Sequence, residues 1–196
     1  MNLRTTFIFL LLICQSCLGQ IHLQSGNYGE LKIAYDSLSK IVTGKFESYT
    51  GFDEVTKEPK FSCIFYFSGT ATKDSFQIIS YYPFDVDSIA GYLKIDTETK
   101  LTLQLKVDHG GCWNVFHFSD QPVSFVLKDK KDWTQIRFIT AQKSFLHSKN
   151  SKFTRKKSFL LKSDFVFINQ TVGGWALCTY YGKKTSVGWI KLSDLN

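Results

Sequence analysis

Cys112 lies in the run His109-Gly-Gly-Cys112-Trp113, with His117 shortly after it and Asp108 and Asp120 flanking the segment. A thiolate nucleophile needs a base to take its proton and a third group to orient that base. Either His109 or His117 supplies an imidazole, so the run holds the ingredients of a cysteine hydrolase. The competing reading is a turn carrying a disulfide-bonded cysteine, and it is preferred here because cysteines outside the cytosol oxidise. The histidines His22, His109, His117 and His147 do not pair at metal-ligand spacing, so no metal site is expected. Asp85 and Asp87 follow Tyr81-Tyr-Pro-Phe84 and offer two carboxylates for acid–base work, but Pro and Asp also mark plain solvated turns. No glycine-rich phosphate loop occurs, and no cofactor is implied.

The compartment decides how these cysteines behave. The chain opens on a basic Met1-Asn-Leu-Arg4, continues with the apolar Phe7-Ile-Phe-Leu-Leu-Leu-Ile13, and reaches a small residue at Gly19. That is the pattern of a secretory signal peptide over residues 1–19, with an apolar run too short to span a bilayer. The expected product is periplasmic or secreted. Lipid anchoring through Cys14 or Cys17 is a minority alternative, because neither follows a good lipobox. Of five cysteines, Cys63, Cys112 and Cys178 remain after cleavage. An odd number permits at most one internal bridge, and Cys63–Cys112 is the expected pair. Cys178 reads as a small buried apolar residue. Asn169-Gln-Thr171 is a glycosylation sequon, meaningful only in a eukaryotic secretory host.

Charge divides the chain. Residues 20–132 hold 12 Lys against 15 Asp and Glu, whereas residues 133–196 hold 9 Lys and 2 Arg against Asp164 and Asp194, a net of +9. A basic exported module suits anionic wall polymers, lipid head groups or acidic partners, or else is simply a solvated basic face. Export argues against nucleic acid.

The elements that position these residues read as strands. Aromatics make up 16% of the chain, with 18 Phe and 9 Tyr, and such residues favour sheets. Leu101, Leu103, Leu105 and Val107 alternate with polar neighbours, as in a strand with one wet face. Phe61, Cys63, Phe65 and Phe67 alternate with apolar Ile64 and Tyr66, which predicts a strand covered on both faces. Further strands are expected at 41–49 (ended by Gly51), 76–82, 88–95, 115–118 and 122–128, with a hairpin turn at Asp96-Thr-Glu-Thr99. Gly29–Ser39 reads as strand plus turn. No strong helical periodicity and no internal repeat is present. The fold class is therefore all-β: an N-terminal antiparallel barrel or sandwich (20–131), with up-and-down barrel or half-barrel slightly favoured, then a smaller barrel (132–196). The short charged Asp129-Lys-Lys-Asp132 is the boundary, and close packing of the two parts is expected. The first barrel either fills itself with Phe side chains, the preferred reading, or holds a small ligand.

The segment 133–196 carries an ordered set of signals. A first strand is expected over Ile136–Phe145, then a polar excursion from His147 to Lys157. Phe159-Leu-Leu-Lys-Ser-Asp164 steps into a second strand. Gly173-Gly174, a third strand Trp175–Tyr181, a turn at Gly182-Lys-Lys-Thr185, and Gly188-Trp-Ile-Lys-Leu-Ser-Asp-Leu195 complete it. Ala176 and Cys178 are expected inside, with Trp175, Leu177, Thr179 and Tyr181 on the opposite face. This set resembles the bacterial SH3 (SH3b) family over about a third of the chain. Ser163 departs from it, standing where the family favours Gly; if that turn needs a positive φ, Ser costs stability. The resemblance implies an SH3-like barrel that binds peptide or cell-wall material in a groove beside the excursion. Trp175, Tyr181 and Trp189 would line that groove, with Lys152, Arg155, Lys156 and Lys157 on its rim. Cysteine wall hydrolases accompany such modules, but their nucleophile usually opens a helix, and none is visible here.

The expectation is thus an exported, non-enzymatic binding protein that contacts a peptide, a cell-wall component or a partner protein. Alternatives are an envelope cysteine hydrolase using Cys112 with His109 or His117, an inhibitor or immunity-type protein, and a small-ligand carrier.

Overall fold

The computed structural model describes residues 23–72 and 75–196. The expected signal peptide, Cys14, Cys17 and His22 lie outside these residues. Among the described residues there is no α-helix, and the chain forms two antiparallel sheets.

The first sheet is a meander in which each strand pairs with its sequence neighbour. Its strands are β1 (Gly26–Tyr28), β2 (Leu31–Asp36), β3 (Ile41–Phe52), β4 (Pro59–Ala71), β5 (Ser75–Tyr81), β6 (Ile89–Thr97), β7 (Lys100–Leu105) and β8 (Val123–Val126). β9 (Asp129–Lys130) then returns to the far edge and pairs with β1. The step from β8 to β9 joins both edges: the Leu127 amide donates to the Thr99 carbonyl (2.7 Å) and the Lys128 amide to the Asn27 carbonyl (2.8 Å). The sheet therefore curls until its edges meet along this one segment, the expected up-and-down arrangement.

Alternation dictates what fills it. Leu31, Ile33, Phe46, Phe65, Phe67, Phe76, Leu93 and Leu103 are fully buried on the concave face. Phe46 stacks on Phe65 at 5.3 Å, and the Phe118 ring meets Phe46 edge-on at 4.9 Å. A Cβ at Gly44 would overlap the Phe67 ring, so the core's largest side chains set the residue size opposite them. Each buried Phe contributes roughly 1.5–3 kcal/mol of hydrophobic stabilisation, and the interior is occupied by the chain's own aromatics.

The second sheet contains β10 (Gln135–Phe138), β11 (Lys143–His147), β12 (Arg155–Leu161), β13 (Phe165–Val172), β14 (Trp175–Tyr181) and β15 (Thr185–Lys191), in the order β10-β13-β14-β15-β11-β12. A 3-10 turn, Leu192–Asp194, follows β15, and Leu195 bridges back to Ile139. Ala176, Cys178 and Ile190 lie inside with Leu146, Val166 and Ile168.

Four local expectations differ from the structure. The single strand over 136–145 is two strands, because Ile139 leaves β10 to pair with Leu195. Residues 115–118 form no strand; they belong to a turn-rich cap over the barrel end, held by the Asp108 carboxylate, which accepts the Phe118 and Ser119 amides at 2.6 and 3.0 Å. Gly51 does not end β3, which runs on to Phe52 with Gly51 at φ +66°. The glycines at 173, 174 and 182 each permit a positive φ at a tight turn; Gly173 and Gly174 adopt it, but Gly182 does not.

The two sheets share an apolar seam. Ala34 and Tyr66 of the first meet Ile136, Phe138 and Phe167 of the second, with buried Trp133 of the connecting segment against Phe167 at 4.3 Å. The Ile136 amide donates to the Thr43 hydroxyl across it at 2.7 Å. This explains the doubly apolar pattern of β4: Phe65 and Phe67 face the barrel core, and Tyr66 faces the second sheet.

Candidate functional site

Cys112 has no free thiol. It is joined to Cys63, is fully buried, and anchors the cap segment to β4. The expected bridge is present, and the oxidised chain lacks the nucleophile a cysteine hydrolase requires.

His109 is also enclosed. Its ring stacks on Phe65 at 5.0 Å and meets Tyr82 at 4.9 Å. Ser80 Oγ lies 2.9 Å from His109 Nε2 and 3.1 Å from the Ile89 carbonyl, so both side chains have hydrogen-bond partners inside the wall. Burial pushes the His109 pKa below the ordinary histidine value. A serine–histidine pair sealed inside the barrel wall, with Ser80 wholly inaccessible, satisfies the core and offers no route to substrate. His117 is exposed, 3.7 Å from Asp108 and 3.9 Å from Asp120. Asp85 and Asp87 sit in an open turn whose Phe84 packs on Phe138 of the second sheet. Among the described residues no cluster of three His, Cys, Asp or Glu side chains is placed to hold a metal ion.

The second sheet carries a different kind of site. β11 and β12 form a hairpin whose outer face aligns Lys143, Phe145 and His147 opposite Leu161, Phe159 and Arg155. The end of β15 and the following 3-10 turn bring Lys191 and Asp194 alongside. Lys143, Phe145, His147, Lys152, Arg155, Lys191 and Asp194 line an open groove of about 380 Å3. The cations are ordered by aromatic rings. Lys143 Nζ lies 3.7 Å from the Phe159 centroid, and the Arg155 guanidinium 4.6 Å from that of Phe145. Lys152 Nζ lies 5.2 Å from that of Phe153. Among the described residues none of Lys143, Lys152, Arg155 or Lys191 makes an ion pair. Asp194, the groove's one carboxylate, already accepts the Ser144 hydroxyl at 2.6 Å.

The structure distributes the expected binding residues unevenly. Lys152 and Arg155 line the groove. Trp175 stands behind it, 4.8 Å from the His147 ring, and Trp189 pairs with His147 across β11–β15. Lys156 turns to the Val187 carbonyl (2.8 Å), and Lys157 is exposed on β12. Tyr181 is elsewhere, packed on Phe167 and Trp133 at the seam. Lys143, Phe145, His147 and Lys191 escaped sequence reading. Their signal, the two-residue spacing Lys143-x-Phe145-x-His147, was hidden by treating 136–145 as one continuous strand.

The sole described free thiol, Cys178, is buried against the Gly188 carbonyl, and burial pushes its pKa up to about 12. No helix of the described chain is long and apolar enough to cross a membrane. No family model, curated protein or solved structure matches this chain.

Proposed function

We propose that this is an exported, disulfide-stabilised protein that binds a peptide, a cell-wall component or a partner protein through the groove of its second sheet and performs no covalent chemistry. The observation that carries the reading is a contrast. The reactive-looking side chains are sealed, Cys112 in a bridge and His109 in the barrel wall, while four cations without an ion pair among the described residues converge with Phe145 and His147 on an open groove. The SH3b resemblance is supported by a hairpin (β11–β12), a three-strand meander (β13–β15), a 3-10 turn, and a short closing bridge, in that chain order. In that frame the groove lies beside the hairpin, where the family's ligand site falls. Oxidised Cys63–Cys112 fits an extracytoplasmic location, periplasmic or secreted.

A second reading has its own support. β3 and β4 run past their neighbours as a two-stranded ribbon that exposes Phe52, Val55 and Phe61, with exposed Trp113 tied nearby through the cap. The Thr50 hydroxyl donates to the Asn114 carbonyl at 3.1 Å. Such a projection suits an inhibitor that inserts into another protein's site. Cosedimentation of the secreted, oxidised chain with purified peptidoglycan, and capture of envelope proteins, test both readings. The groove reading predicts loss on Lys143→Ala with Arg155→Ala; retention there, with loss on Phe52→Ala and Phe61→Ala, would replace it with the inhibitor reading.

A further inference from the structure

We propose that the groove recognises an acidic, extended peptide segment carrying apolar side chains, not the sugar rings of a wall glycan. The inference rests on the groove reading above and deepens it. Aromatic rings bind sugars by offering an open face. Here a cation lies over one face of each ring: Lys143 over Phe159, Arg155 over Phe145, and Lys152 over Phe153. Phe145 and Phe159 also meet nearly edge-to-face, at 65°, and do not form a flat platform. What the groove presents outward is therefore charge set beside exposed apolar side chains.

That charge is answered only in part, by the single carboxylate of Asp194. Asp194 is engaged by Ser144, and no carboxylate among the described residues pairs with Lys143, Lys152, Arg155 or Lys191. A ligand must bring the anions. A guanidinium laid on a ring keeps its N–H edge free and ordered, which favours a bidentate carboxylate. The apolar half of the ligand follows from what surrounds the cations: Phe153, Phe159 and Leu161 are exposed on or beside the hairpin, and Phe159 and Leu161 belong to β12, the open edge of the sheet. An extended chain alternating acidic and apolar residues matches that surface at two-residue spacing.

The test uses the secreted, oxidised chain and fluorescence anisotropy with four probes: a short peptide of alternating glutamate and leucine, its lysine–leucine counterpart, inorganic polyphosphate, and soluble peptidoglycan fragments. The glutamate–leucine peptide is expected to bind saturably, more weakly as salt rises, and the lysine–leucine peptide not at all. Arg155→Ala should weaken binding about tenfold, and Arg155→Glu should abolish it. Lys183→Glu with Lys184→Glu, on the β14–β15 turn outside the groove, should leave most of the affinity. Equal loss from both sets of variants would reduce the effect to net charge and overturn the proposal. Tight polyphosphate binding without peptide binding would overturn it in favour of a phosphate polymer. Peptidoglycan binding that depends on Arg155 while the acidic peptide fails would overturn this inference and leave the groove reading standing; failure of every probe, with envelope capture insensitive to Arg155→Glu, would remove both.

Discussion

Replacing both bridged cysteines by alanine should lower stability by about 4 kcal/mol. Cys63 and Cys112 are separated by 49 residues, so the bridge closes a long loop. The loop-closure relation for a ring of that size gives roughly 14 cal/mol/K of denatured-state entropy removed, or about 4 kcal/mol at 25 °C. Cys112 sits in the cap whose Phe116 and Phe118 rings rest on Phe46, so the loss should be felt throughout the first barrel. For a chain of this size the change corresponds to a fall in Tm of about 10 °C. Urea unfolding followed by Trp fluorescence measures it, with the oxidised protein as reference. The groove is in the other sheet, so ligand binding should be unchanged below the transition. A loss under about 1 kcal/mol would refute the assignment of Cys112 as a staple, and an accompanying loss of an envelope hydrolase activity would restore the nucleophile reading.

Further outcomes follow from single sites. Ser163 has φ +75° and its hydroxyl makes no described hydrogen bond, so Ser163→Gly should stabilise by about 0.5–1 kcal/mol, the relief of left-handed strain less the added chain entropy; destabilisation in urea would contradict it. Thr43→Val leaves the buried Ile136 amide without its acceptor and should cost about 1–3 kcal/mol, read by the same unfolding assay. The raised pKa values of Cys178 and Tyr28, both about 12 through burial, add stability that is fully present below their ordinary values of 9.0 and 10.0 and is lost as pH rises towards 12. Native Cys178 should accordingly resist alkylation at pH 8 and react on unfolding. The lowered His109 pKa works in the opposite direction: its contribution is present above the ordinary value of 6.5 and is lost as pH falls below it, and His109→Gln should flatten stability against pH in that window.

Much of the first sheet was legible because period-two alternation survives even where both faces are covered. Phe65 and Phe67 announced a barrel core, and Tyr66 between them announced a second contact. What covers Tyr66 was not legible, since nothing local in Ile136, Phe138 or Phe167 marks them as seam residues. Trp133, directly after the charged boundary 129–132, carried no local sign that it is nearly buried. The cap residues Val115–Phe118 are apolar for packing reasons and so imitated a strand. In the second sheet, residue types at the turns were informative: Ser163 stands where the resembled family favours Gly, a cost only if the turn needs a positive φ, and it adopts one. The groove was only half visible. Lys152 and Arg155 stood out as part of a basic run, but their partners Lys143 and Lys191 come from other strands, and only pairing brings them together. Tyr181 shared a strand face with Trp175 and still ended at the seam, because strand twist and Trp133 claim that end of β14.

The most direct test of the account is an amide NMR titration of the oxidised chain with the glutamate–leucine peptide and with peptidoglycan fragments. The account predicts shifts grouped at residues 143–147, 152–155 and 191–194, with residues 109–117 silent. Shifts centred on 109–117, or turnover of the fragments during the titration, would contradict it.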